Sequence, residues 1–169
     1  MSGETIIDNL LEREGGFVND PDDRGGATKY GITRETLADH RGEAVTVDDV
    51  RRLTEDEARA IYREEYIEAP GYHGIHDASL QGLVVDAGVN HGPHRASRWL
   101  QRAAGVTVDG HVGPQTLAAV NEGSTLPTYL EFIRIRAEFY GEVITSDPSQ
   151  ARFAHGWLRR LGEFLHIPQ

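Results

Sequence analysis

Apolar residues recur three and four positions apart through most of the chain, in stretches separated by Gly, Pro and Asx clusters, and this periodicity predicts a mostly helical fold. The first stretch carries Ile6, Ile7, Leu10 and Leu11 and stops at Gly15 and Gly16, residues suited to a helix C-terminus. Residues 17 to 32 are rich in turn signals, Asn19-Asp20-Pro21 and Arg24-Gly25-Gly26 among them. The β-compatible residues from 27 to 33 then predict a small antiparallel sheet of two or three strands, the only β structure expected. Thr54-Glu55-Asp56-Glu57 reads as a capping box ahead of Ala58, Ile61, Tyr62 and Tyr66, and Ser79 as the start of a helix through Leu80, Leu83, Val84 and Ala87. Further helices are expected over 93 to 103, 114 to 121, 126 to 144 and 148 to 165, with 106 to 113 a turn and 69 to 77 a Gly- and His-rich connector.

A length of 169 residues suits one compact domain with a real core. With no cysteine, disulfides, thiolate metal sites and a thiol nucleophile are all excluded. The net charge of -10 lacks the basic footprint that phosphate binding needs, so a nucleic-acid partner is not expected. The acidic excess is uneven: residues 1 to 90 hold 20 Asp and Glu against 9 Lys and Arg, residues 91 to 169 hold 7 against 8. The second half is therefore the side expected to meet an anionic polymer. Neither a long apolar run nor a signal-like start is present, so the expectation is a monomer without stable membrane insertion, made in the cytoplasm without a signal peptide and exported by another agent.

Candidate chemistry begins at Glu14. It lies seven residues after Ile7, four after Leu10 and three after Leu11, which puts it on the apolar face of a continuing helix. Desolvation and the negative end of the helix dipole both disfavour its charged form and raise its pKa. A carboxyl that keeps its proton near neutrality can protonate a glycosidic oxygen. The plainer alternative is a frayed helix end with Glu14 in water. Asp23 and Thr28 are candidates for the partner role, stabilising oxocarbenium-like charge or activating water, whereas Asp20 and Asp22 fit turn chemistry. Asn90, three residues after Ala87 and seven after Leu83, repeats the situation of Glu14, a polar group ending an apolar helix face. Its amide can bond an N-acetyl group, with Asp86 one turn earlier orienting it or else satisfying the core. His73 with His76 and His91 with His94 have a spacing that metal ligands use, but no HExxH arrangement accompanies it. The last helix, with Phe153, Trp157, Leu158, Leu161, Phe164 and Leu165 beside three arginines, is either core or a surface that presses on an anionic envelope.

The residues Glu14-Gly15-Gly16-Phe17-Val18-Asn19-Asp20-Pro21, then Asp23, Gly25-Gly26, Thr28 and Gly31-Ile32-Thr33, resemble glycoside hydrolase family 108, a family of phage endolysins and bacterial muramidases. The resemblance places the catalytic acid on Glu14. Glu14, Asp23 and Thr28 are also similar to the Glu, Asp, Thr constellation of phage-type lysozymes, with the Asp-to-Thr interval one residue shorter. Val85-Asp86-Ala87-Gly88-Val89-Asn90-His91-Gly92, Leu100-Gln101, Val108-Asp109-Gly110 and Gly113-Pro114-Gln115-Thr116-Leu117 resemble the family's predicted peptidoglycan-binding region. The family's common Tyr-Trp pair is here Tyr66-Ile67.

Together these readings imply an α+β, mostly helical, lysozyme-like fold of two lobes: residues 1 to 78 a catalytic lobe with the small sheet, residues 79 to 169 a helical lobe, with the glycan strand of bacterial peptidoglycan between them. The expected reaction is hydrolysis of the β-1,4 bond between N-acetylmuramic acid and N-acetylglucosamine. Glu14, Asp23 and Thr28 are its catalytic candidates, and Asn90, Asp86 and Tyr30 its substrate-binding candidates. No metal or organic cofactor is required. The alternatives are a zinc-dependent amidase or peptidase built on the histidines, and a non-catalytic wall-binding module.

Overall fold

The structure, a computed structural model, describes residues 1–14, 16–18 and 27–165, and of Glu14 only the backbone. Helix α1 (Gly3–Glu14) begins where the Ser2 hydroxyl accepts the Thr5 N–H at 3.2 Å, supplying a partner for one of the unpaired first-turn donors. A three-stranded antiparallel sheet follows in the order β1 (Phe17–Val18), β2 (Thr28–Lys29), β3 (Ile32–Thr33). Phe17 pairs with Lys29 and Val18 with Thr28, while Thr28 also faces Thr33 and Lys29 faces Ile32.

Two short helices come next that apolar periodicity did not announce, α2 (Arg34–Arg41) and α3 (Val47–Arg52). Each buries a single residue, Leu37 or Val50, so there is no stripe to detect; local capping starts them instead. Thr33 caps α2, and its end is a left-handed Gly42 at φ 68°. A reciprocal capping box between Thr46 and Asp49 opens α3. Helix α4 (Glu55–Arg63) does start at Thr54, whose hydroxyl accepts the Glu57 N–H. The other half of the expected box is missing because the Glu57 carboxylate makes a two-pronged bond to Arg41, at 2.8 and 2.9 Å, which a charge-assisted fork favours. A π-helical turn, Glu64–Glu68, continues it.

Helix α5 (Ala78–His91) starts at Asp77, whose carboxylate accepts the Leu80 N–H at 2.8 Å, and not at Ser79 as the pattern predicted. The acidic side chain is the stronger cap at the positive helix end. Helix α5 is apolar almost all round: Leu80, Leu83, Val84, Val85 and Ala87 are fully buried, as befits a helix enclosed on every side. It packs against α1 on one side and α6 (Pro93–Ala104) on the other. Gly82 is needed there, since a Cβ would run into the Met1 carbonyl that lies over it. Helices α7 (Pro114–Asn121) and α8 (Leu126–Ser146) follow, α8 lying against α6. The final stretch, expected as one helix, is a 3-10 segment Pro148–Phe153 and then α9 (Ala154–Glu163). The Asp147 carboxylate accepts the Ser149 N–H at 3.0 Å and so favours the tighter winding. One apolar cluster runs from Ile6 to Phe164 and contains residues of both halves of the chain.

Candidate active site

Burial of Ile6, Ile7 and Leu11 clamps α1 onto α5 and leaves the next stripe of α1 facing a cleft of about 360 Å³. Helix α1 contributes Asn9, Leu10 and Arg13 to its wall, α5 contributes Asp86, Val89 and Asn90, and α9 contributes Arg160 and Glu163. Glu14 is the last residue of α1, next in the chain after Arg13. Its side chain lies outside the described residues, as does the whole of Asp23.

Asn90 and Asp86 do come together on this cleft. The bond between them is not the one expected: the Asn90 amide donates to the Asp86 main-chain carbonyl at 2.6 Å, and the Asp86 carboxylate is committed elsewhere. It is 1% exposed. Oδ2 accepts from Arg136 Nη1 at 2.7 Å, and Oδ1 accepts from Arg160 Nε at 2.7 Å and Nη2 at 2.6 Å. A carboxylate can live in a core only when its lone pairs are filled in this way. Arg136 is fully buried, donates from Nε to the Tyr140 hydroxyl at 2.9 Å, and keeps Nη2 without a partner among the described residues. The Tyr140 hydroxyl lies 3.1 Å from His91 Nε2. With Arg136 donating into it, that hydroxyl donates onward to a neutral imidazole. Burial, followed by the cations of Arg136 and Arg95, pushes His91 down to about 4. A pair of arginines thus holds Asp86, and Asp86 holds the last turns of α5 from which Asn90 projects.

The sheet carries the other two candidates. Thr28 is half-buried on the middle strand, and Tyr30 sits in the two-residue turn between β2 and β3. Tyr30 has φ 53° and Gly31 φ 75°, the left-handed pair of a type I′ hairpin. Asn or Gly usually fills such a position, and a tyrosine there is strained. It is held in place: Tyr62 donates its hydroxyl to the Tyr30 carbonyl at 2.7 Å, and Lys29 Nζ stands 5.3 Å from the Tyr30 ring centre while bonding the Arg51 carbonyl. Neither Thr28 nor Tyr30 is among the described residues that line the 360 Å³ cleft.

The histidines are dispersed. His73 pairs with Glu68 at 3.2 Å, the His76 main-chain N–H donates to Asn121 Oδ1 at 2.9 Å, and His94 faces His111 with ring centres 6.5 Å apart. Among the described residues no group of three or more His, Asp or Glu side chains is placed to hold a metal ion. The turn from 106 to 113 is pinned from beneath by Gln101, which donates to Asp109 Oδ1 at 2.7 Å and the His111 carbonyl at 3.0 Å and accepts the Gly110 N–H at 2.8 Å. Ile67, at the position of the Trp, is 3% exposed and packs beside Gly3 and Val85, so that position belongs to the core. The C-terminal stretch divides its apolar residues: Leu161 and Phe164 are buried and Trp157 stacks on Tyr140, while Phe153, Leu158 and Leu165 are exposed. Among the described residues no helix is long and apolar enough to cross a membrane.

Sequence reasoning missed Arg160 as a cleft residue and the joining of Arg136 to Asp86. The partners lie 50 and 74 positions from Asp86, and no local spacing signals such a contact.

Comparison with known proteins bears on the same segments. The profile of the family described as glycosyl hydrolase 108 matches residues 7–92, and one described as a "Predicted Peptidoglycan domain" matches residues 95–162. Among solved structures, that of Brucella abortus SagA is similar, with a TM-score of 0.72 and 31% sequence identity over 96% of this chain and 90% of SagA. No curated protein matches the sequence. The first profile spans α1 with the cleft wall it forms, the sheet, and α5 with Asn90; with it, the chain belongs to the glycosyl hydrolase 108 family and is a glycoside hydrolase that acts on peptidoglycan.

Proposed function

We propose that the protein is an N-acetylmuramidase that cleaves the β-1,4 bond between N-acetylmuramic acid and N-acetylglucosamine, with Glu14 as general acid. The observation that supports this most is the course of α1. The helix that ends in Glu14 lines, through Asn9, Leu10 and Arg13, a cleft that Asn90 of α5 also lines. A glycan strand in this cleft has its N-acetyl groups within reach of an amide, and its glycosidic oxygen near the end of α1.

In the proposed reaction Glu14 gives its proton to the bridging oxygen as the bond from that oxygen to the muramic C1 breaks. The N-acetylglucosamine end leaves as an alcohol. Asp23 and Thr28 stabilise the charge that develops at C1 or orient the incoming water. Water then delivers hydroxide to C1, and its remaining proton restores the acid. Tyr30 and Asn90 contact the sugar, and Asp86 acts as a positioning residue, its ion pairs with Arg136 and Arg160 holding the last turns of α5 from which Asn90 projects. Residues 1 to 78 serve as the catalytic lobe and residues 79 to 169 as the lobe that grips the polymer. The biological setting we propose is a phage or prophage endolysin, a monomer released to the wall by a holin or other export agent for host-cell lysis.

Mass spectrometry of muropeptides after digestion tests this reading. The native protein is expected to release fragments with reducing muramic acid ends, and Glu14→Gln to release them at least ~100-fold more slowly. Reducing glucosamine ends, freed stem peptides, or an undiminished Glu14→Gln variant would each refute it.

A further inference from the structure

The cleft beside α1 continues into a second one of about 250 Å³, and the two share Arg13, Arg160 and Glu163. The second adds Arg159 and His155 from α9. Arg13 and Arg159 are exposed and have no ion-pair partner among the described residues. Arg160 is turned inward to Asp86, whose charge is already met by buried Arg136. Among the described residues that line this joint groove, three guanidinium groups, Arg13, Arg159 and Arg160, stand against two carboxylates, Asp86 and Glu163, and the charge of Asp86 is offset from the core by Arg136. The surplus is local and runs against a chain whose net charge is -10.

Like charges gathered along one groove repel, and an anion lying among them relieves that repulsion. Peptidoglycan narrows the choice of anion. Its sugars are neutral, since the lactyl carboxyl of muramic acid is tied up in the amide that carries the stem peptide. The negative charge of the polymer's repeating unit is on the free carboxylates of that stem. The fork of a guanidinium matches a carboxylate with two parallel bonds.

We propose that Arg13, Arg159 and Arg160 form a subsite for a stem-peptide carboxylate, so that this enzyme selects glycan bearing peptides over bare glycan. The inference rests on the reading of the α1 cleft as the place where glycan lies. It makes the groove between the end of α1 and α9 the exit path of the peptide from the bound muramic unit.

Isothermal calorimetry tests this on the non-cleaving Glu14→Gln protein with three ligands: a peptidoglycan tetrasaccharide bearing stem tetrapeptides, the same saccharide without peptides, and the peptide form with its carboxylates converted to amides. The first is expected to bind about tenfold more tightly than the other two, with the advantage shrinking as salt rises. Adding Arg13→Gln and Arg159→Gln together should abolish the preference. Both side chains are exposed, so circular dichroism should show an unaltered fold; Arg160 is left intact because its removal unpairs Asp86. Equal binding of the three ligands, or a preference that survives amidation or the arginine changes, would overturn the proposal. Failure of the muramidase reading would show instead as missing muramic ends in digestion, and it leaves this binding comparison standing.

Discussion

Asp86 and Arg136 meet at 2.7 Å with side chains 2% and 0% exposed, joining α5 to α8 across the core. Arg160 closes on the same carboxylate from α9. Three helices that share no local sequence signal are thereby tied at one buried charge, one helical turn before the Asn90 that lines the cleft.

Removing that charge leaves Arg136 buried and uncompensated. Asp86→Ala is expected to cost about 3–5 kcal/mol, read as a fall in the urea midpoint, and to loosen Asn90 enough to raise KM on peptidoglycan. The paired change Asp86→Leu with Arg136→Met should recover more than half of the lost stability, because it removes the uncompensated ion along with its partner. Stability unchanged in Asp86→Ala would show that the pair contributes nothing.

His91 makes stability depend on pH. Its folded value of about 4 lies below the ordinary 6.5, so the unfolded chain binds the proton more readily. The contribution is complete above about pH 6.5 and is lost as pH falls from there towards 4. At ~1.4 kcal/mol per unit, and allowing for partial exposure, roughly 2 kcal/mol is at stake. Urea titrations of native protein and His91→Gln across this window should diverge by that amount, since glutamine does not titrate. Arg136, Arg95 and Arg160 face this imidazole with one carboxylate, Asp86, and parallel curves would mean that His91 charges without penalty in the fold.

Tyr30 separates stability from function. Tyr30→Asn relieves a left-handed tyrosine while it forfeits some packing, so the folding free energy should move by less than about 1 kcal/mol. If the ring contacts sugar as proposed, KM on peptidoglycan should rise about tenfold. Unchanged kinetics would remove Tyr30 from the substrate contacts.

Gln101→Leu withdraws the side chain that holds the turn from 106 to 113, leaving the buried Gly110 N–H without its acceptor. The expected cost is about 2–3 kcal/mol, with faster amide hydrogen exchange confined to that turn. A pull-down of murein on the same variant tells whether the turn also touches the polymer: retained binding would assign it a purely structural task.

Legibility in the sequence followed the range of the interaction. Helix α7 was expected over 114 to 121 and found there, because Pro114 opens it and apolar spacing carries it to Asn121. The sheet was legible from turn residues and β-compatible side chains between 27 and 33. Helices α2 and α3 were not, since one buried side chain each leaves no period to read. At α5 the pattern named the right face and the wrong cap: Ser79 and Asp77 both suit helix starts, and only the folded backbone shows which oxygen reaches an unpaired N–H.

By itself the sequence determined the helical periods, the absence of thiol chemistry and the family to which these motifs belong, all of them matters of composition or of neighbours within a few positions. Only the tertiary structure decided that the Asp86 carboxylate answers to Arg136 and Arg160 and not to the Asn90 amide, that Tyr30 is bent into a left-handed turn under the Tyr62 hydroxyl, and that Arg13 of the first helix shares a groove with Arg159 of the last. The reason is physical: a charge in the core takes whatever partner packing delivers to it, and packing brings together positions that no spacing along the chain connects.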